Sequence, residues 1–128
     1  MKYFQISELT HTNKKLPNVP NATETANLEA LVKNVLDPLR ELYGKPIKVN
    51  SAFRSKIVNA AIGGAANSEH MSGMAADITG GNKTENAILF QLIRDNFQFR
   101  QLISEYDFTW VHCSYNEKDN KRQILTIK

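Results

Sequence analysis

Between Leu28 and Leu42 the apolar residues Leu28, Leu31, Val32, Val35, Leu36, Leu39 and Leu42 recur at steps of three and four. That period commits residues 24–43 to a long helix with one buried face. Asn21 or Thr23 can supply its N-cap, and Gly44 followed by Pro46 is a stop signal. Pro38 lies inside the pattern, with no N–H to donate and its ring against the carbonyl of Asn34. Because the apolar stripe continues past Pro38, the expectation is a kink rather than a break. A helix with one apolar stripe must lay it on another layer, so the rest of the chain has to provide that cover.

Strands and a second helix are both legible there. Pro46–Ser51 alternates apolar and polar residues and reads as a short strand. Residues 56–62 form a short helix ended by Gly63-Gly64, after which Ser68–Asp77 begins as a loop and enters a strand near residues 75–78. Gly80-Gly81-Asn82 is a turn, and residues 84–95 make a second amphipathic helix with Ile88, Leu89, Leu92 and Ile93 inward. Three further strands are expected at residues 99–104, 109–115 and 123–127, joined by polar turns. The polar stretch from Thr10 to Ala22, with Pro17 and Pro20, is an ordered loop or an arm hugging the surface. Helices early and strands late define an α+β fold, an antiparallel sheet with helices packed on one side. With 128 residues and no repeat or linker, the chain reads as a single domain, 1–128, large enough to bury a core without disulfide staples.

Charge and cysteine usage exclude more than they assign. The formal charge of +3 comes from Lys and Arg scattered along the chain, and the one dense run, Asn116–Arg122, is interrupted by acids. Such a run is a solvated turn rather than a binding tail, so nucleic acid is not an expected partner. Attraction to an anionic polymer such as a bacterial cell wall is compatible with the charge. Cys113 is the only cysteine and reads as a small buried hydrophobe. Residues 1–9 carry no apolar stretch of secretory length, and no segment is long enough to span a membrane. The expectation is a monomer that is cytoplasmic as synthesised and reaches a cell wall only if released.

The chemistry concentrates in Ser68–Thr79 and in Trp110-Val111-His112-Cys113-Ser114. Strand alternation puts Trp110, His112 and Ser114 on one face and Val111 and Cys113 on the other. His70 lies on a loop from which Gly73 lets the chain turn, so that Asp77 can return toward it on a strand. Two neutral imidazoles and one carboxylate suit Zn2+, which takes nitrogen and oxygen ligands in tetrahedral geometry and keeps a fourth position open in hydrolases. Calcium or magnesium would call for more oxygens. His11 has no such company and reads as an ordinary surface or core histidine.

The pattern Ser68-x-His70-x-x-Gly73-x-Ala75-x-Asp77-Ile78, preceded by Ser51-x-x-Arg54-Ser55 and followed by Trp110-x-His112-x-Ser114, resembles the zinc D-Ala-D-Ala carboxypeptidase family. That family also holds vancomycin-resistance dipeptidases, phage L-alanyl-D-glutamate endolysins and, distantly, the Hedgehog signalling domain. Leu36-Asp37-Pro38-Leu39-Arg40 and Asn59-x-x-x-Gly63-Gly64 fit its short phage and prophage branch, and the likeness runs from about Leu28 to Ser114. It implies a zinc metallopeptidase that hydrolyses a bond involving a D-amino acid in peptidoglycan stem peptides, as a carboxypeptidase or an endolysin. His70, Asp77 and His112 would be the metal ligands, Arg54 would face a substrate carboxylate or the polarised carbonyl, and Ser68 would bond near the metal or substrate. Several family members carry a carboxylate three residues before the last histidine; here that position is Thr109, which cannot act as a base. Glu105, at the end of the Gln101–Glu105 strand that a hairpin lays beside His112, is the expected general base, with Asp107 second. The alternative is a zinc-bearing binding or phage structural module without catalysis.

Overall fold

A computed structural model describes residues 1–128. Helix α1 (Ile6–Leu9), too short to leave a period in the sequence, opens the chain. The polar arm that follows is held by Asn18, whose Nδ2 donates to the carbonyls of Thr10 (2.8 Å) and Phe53 (3.1 Å) while its Oδ1 accepts from Ser55 N–H (2.7 Å). Helix α2 (Ala22–Leu31) starts on a reciprocal cap in which Asn21 Oδ1 accepts from Glu24 N–H and the Glu24 carboxylate accepts from Asn21 N–H, both at 2.8 Å. Residues Val32–Leu36 form a π-helical turn that passes directly into α3 (Asp37–Tyr43). The helical path thus continues across Pro38, and the wider turn just before it is the local adjustment around a residue that cannot donate.

Strands β1 (Lys48–Ser51), β2 (Ala75–Thr79), β3 (Gln101–Glu105), β4 (Trp110–Ser114) and β5 (Gln123–Ile127) form one sheet in the order β1-β2-β4-β3-β5. Helix α4 (Lys56–Ala61) and a 3-10 turn (Glu69–Ser72) lie between β1 and β2, and α5 (Lys83–Asn96) lies between β2 and β3. The α+β class holds. The wholly antiparallel sheet does not, because β5 runs parallel to β3. Strand β4 ends beside the start of β3, where Arg100 N–H donates to Ser114 O (2.8 Å), and its other edge is taken by β2. The chain therefore crosses the start of β3, with Arg122 N–H on Phe99 O and Gln123 N–H on Arg100 O, both at 3.0 Å, and can only continue alongside β3 in the same direction.

The register sorts the strands into two faces. Val49, Ala76, Ile78, Leu102, Val111 and Cys113 join Leu28–Leu39 of the long helix and Leu89, Phe90 and Ile93 of α5 in one core. On the opposite face Ser51, Asp77, His112 and Ile103 line up across four adjacent strands. Strict alternation would put Ser51 with Val49, but a bulge between them turns Ser51 to the Asp77 side.

The β3–β4 connection is a tight left-handed turn, with φ of 49°, 56° and 62° at Tyr106, Asp107 and Phe108. Each such residue costs on the order of 1–3 kcal/mol, so the surroundings must hold it. Thr109 N–H closes onto Glu105 O (3.0 Å), and buried Asn86 donates through Nδ2 to Phe108 O (2.8 Å) and Thr109 O (3.1 Å). The Phe108 ring stands edge-on to Phe90 at 5.5 Å. No helix is long and apolar enough to cross a membrane.

Candidate metal centre

Three elements converge on the polar face. Ser68 caps the 3-10 turn, its Oγ accepting His70 N–H (3.2 Å), and the turn presents His70. The chain then reverses at Gly73 (φ 79°), where a Cβ would stand 2.5 Å from Glu24 O, so only glycine allows both the turn and the approach of α2. Asp77 on β2 lies opposite His112 on β4.

His70, Asp77 and His112 are 4%, 6% and 8% exposed, and one ligand atom from each falls within 4.8 Å of the others. His70 Nε2 is 3.3 Å from Asp77 Oδ2, and His112 Nδ1 is 3.1 Å from Asp77 Oδ1. Donors on a tetrahedral zinc at about 2.0–2.1 Å stand roughly 3.4 Å apart, and both histidine–Asp77 separations are close to that. His70 Nδ1 donates to Ala52 O (2.7 Å), which leaves its Nε2 lone pair for the centre.

Burial opposes charge on Asp77 and His112, yet both are strongly polarised. Burial alone would raise the Asp77 pKa, but its interactions with His112, foremost a hydrogen bond, and with His70 outweigh it and hold the carboxyl well below the carboxylate range. Burial would lower His112, but its bonds to Asp77 and Glu69 prevail and push the imidazole up to about 9. A donor set that favours a positive centre this strongly suits a divalent cation in place of the proton.

Arg54 is more constrained than an open anion hook. Its Nε donates to Ser51 Oγ (3.0 Å), Nη2 to Asp77 Oδ2 (3.2 Å) and Nη1 to Asn59 Oδ1 (3.5 Å). Asn59 is itself buried and donates to Ala65 O (2.9 Å). Gly64 makes room for it, since a Cβ there would meet Asn59 Oδ1 at 2.1 Å. Arg54 still faces the cleft of about 310 Å³ that contains the triad, together with Ser68, Glu105 and Trp110. Trp110 Nε1 donates to Glu105 Oε2 (2.7 Å), leaving Oε1 unclaimed on the face that carries His112. Asp107 lies outside, 78% exposed and paired with Lys83. His11 lines a separate depression beyond Arg54.

Sequence reasoning assigned no role to Glu69 or Arg100, and it marked Ser51 and Asn59 only as motif positions, not as partners of Arg54. Glu69 Oε1 lies 3.5 Å from His112 Nε2, and its Oε2 is 2.8 Å from Arg100 Nε. Its place directly before His70 was the only signal available.

The fold and site define a class: a small α+β scaffold that gathers a His-Asp-His set able to hold a divalent cation in a polar cleft. Peptidase M15 is the family whose pattern matches residues 2–114, and the chain belongs to that family. A zinc D-Ala-D-Ala carboxypeptidase of Streptomyces albus G is 40% identical over 82 residues, covering 62% of this chain and 32% of the carboxypeptidase. The chain therefore spans about a third of that relative's length. Strand β5 lies beyond the matched segment.

Proposed function

We propose that this chain is a zinc metallopeptidase, a monomer with a single domain, that hydrolyses a peptide bond involving a D-amino acid in peptidoglycan stem peptides. The observation that carries the reading is the buried convergence of His70, Asp77 and His112 in a cleft that also holds a free carboxylate oxygen of Glu105. His70, Asp77 and His112 would hold zinc, whose Lewis acidity would be available to a water and to the scissile carbonyl. Glu105, oriented by Trp110, takes a proton at Oε1 and returns it to the leaving amine. Arg54 has N–H groups beyond those used by Ser51, Asp77 and Asn59, and these face developing negative charge on the carbonyl oxygen or a substrate carboxylate. Ser68 spends its oxygen on the His70 turn and keeps its hydroxyl proton for substrate. The α+β fold is in keeping with a Hedgehog- and D-Ala-D-Ala-peptidase-like scaffold, and β5 lies beyond the segment that the family matches.

The test is to incubate zinc-loaded protein with muropeptides and weigh the products. Loss of a terminal D-alanine marks carboxypeptidase action, and cleavage inside the stem marks endopeptidase action of the endolysin type, acting on a wall once released from the cytoplasm. A protein that binds zinc but cleaves no muropeptide is a binding or structural module instead.

A further inference from the structure

The two histidines face the centre through opposite nitrogens. His70 turns Nε2 inward because Nδ1 is tied to Ala52 O (2.7 Å). His112 turns Nδ1 inward, 3.1 Å from Asp77 Oδ1, so its proton must sit on Nε2 for the inward lone pair to be free. The acceptor that faces Nε2 is Glu69 Oε1 at 3.5 Å.

Glu69 is an expensive residue to keep there. Its side chain is only 16% exposed, and its buried Oε2 has no hydrogen bond, only the Arg100 guanidinium 2.8 Å away as an ion pair. A carboxylate removed from water without partners is strongly unfavourable, so its polar neighbours, His112, Ser114 and Arg100, account for its position. Arg100 is fixed in turn. Its backbone N–H bonds Ser114 O on the strand that carries His112, and its guanidinium also pairs with Asp119. Consecutive residues thus serve the centre from two sides, His70 from within it and Glu69 from outside through His112.

We propose that Glu69 is a positioning residue for the metal centre: anchored by Arg100, its carboxylate accepts the Nε2–H of His112 and fixes the tautomer that aims Nδ1 at the cation. The proposal rests on the zinc reading above. Removing such an outer partner of a ligating histidine lowers metal affinity or activity by roughly 10–100-fold.

Zinc affinity is measured by chelator competition for the wild type, Glu69→Ala and Glu69→Gln. The expected result is one tight zinc in the wild type, a loss of roughly 10–100-fold in Glu69→Ala, and near-native affinity in Glu69→Gln, whose amide oxygen still accepts the proton. Nitrogen-15 spectra of the zinc-loaded wild type should show His112 protonated at Nε2 and metal-bound through Nδ1, a readout that does not depend on any variant folding. Native zinc affinity in Glu69→Ala, or a His112 bound through Nε2, overturns the proposal. Glu69→Gln that keeps zinc and tautomer but loses all peptidase activity also overturns it, since Glu69 would then be the proton acceptor. A wild type that takes up no zinc ends the metal reading and this proposal together, whereas a loss confined to Glu69→Ala leaves both standing.

Discussion

Strands β2 and β4 carry two environments one residue apart. Ala76, Ile78, Val111 and Cys113 press into the core, while Asp77 and His112 between them face the cleft with Glu105 of β3. The apolar face fixes the register, since a slip of one residue would drive Asp77 and His112 into the helices and Ile78 into water. That register in turn sets Asp77 opposite His112. The metal centre inherits its precision from the core behind it, and the two faces should therefore fail in different ways: one loses chemistry with the fold intact, the other loses fold.

The largest separation is expected at Glu105. Glu105→Gln keeps shape and the Trp110 contact but removes the carboxylate proposed as the base, and a rate loss on the order of a hundredfold or more is expected, with zinc content and melting temperature unchanged. Asp107→Asn, outside the cleft, should leave turnover near native, and the reverse outcome would exchange the two roles. On the core side, Ile78→Ala should cost about 2–5 kcal/mol in denaturant unfolding, while the folded fraction keeps its zinc stoichiometry. Arg54→Lys joins the faces less directly. Lysine keeps the charge but lacks the planar fork whose separate nitrogens reach Ser51, Asn59 and Asp77, so activity should fall by roughly 10–100-fold with a small change in stability. A collapse in melting temperature with native specific activity would make Arg54 structural.

The smallest effect belongs to Cys113. Burial pushes its thiol up to about 12, so thiol reagents should not modify it in the folded protein and should do so rapidly after unfolding. The sign of the linked pH effect follows. The folded chain holds that proton more tightly, so stability falls as pH rises above the ordinary thiol value of 9.0. Unfolding curves for Cys113→Ala should show a shallower fall between about pH 9 and 11.

Much of this was readable from the chain. The helix over residues 24–43 and the alternating faces of β2 and β4 follow from period, a local property, while the grouping of His70, Asp77 and His112 was legible from ligand chemistry together with the family resemblance. Features that depend on which edge is free were not legible. The direction of β5 is set by β2 already occupying β4, and the role of Ser51 is set by a bulge that moves it to the other face. Glu69 shows no periodic signal because a 3-10 turn places side chains by its caps rather than by a repeat. The left-handed turn at residues 106–108 carries no glycine, so nothing in its composition announces it; buried Asn86, remote in sequence, holds it.

Metal content tests the central claim most directly. Wild type, His70→Ala, Asp77→Asn and His112→Ala are purified without chelator, and zinc is counted against protein while circular dichroism follows the fold. One zinc per wild-type chain is expected, with little or none in each variant and a native spectrum throughout. Full zinc occupancy in His112→Ala would contradict the account, because the metal would then be held by residues other than these three.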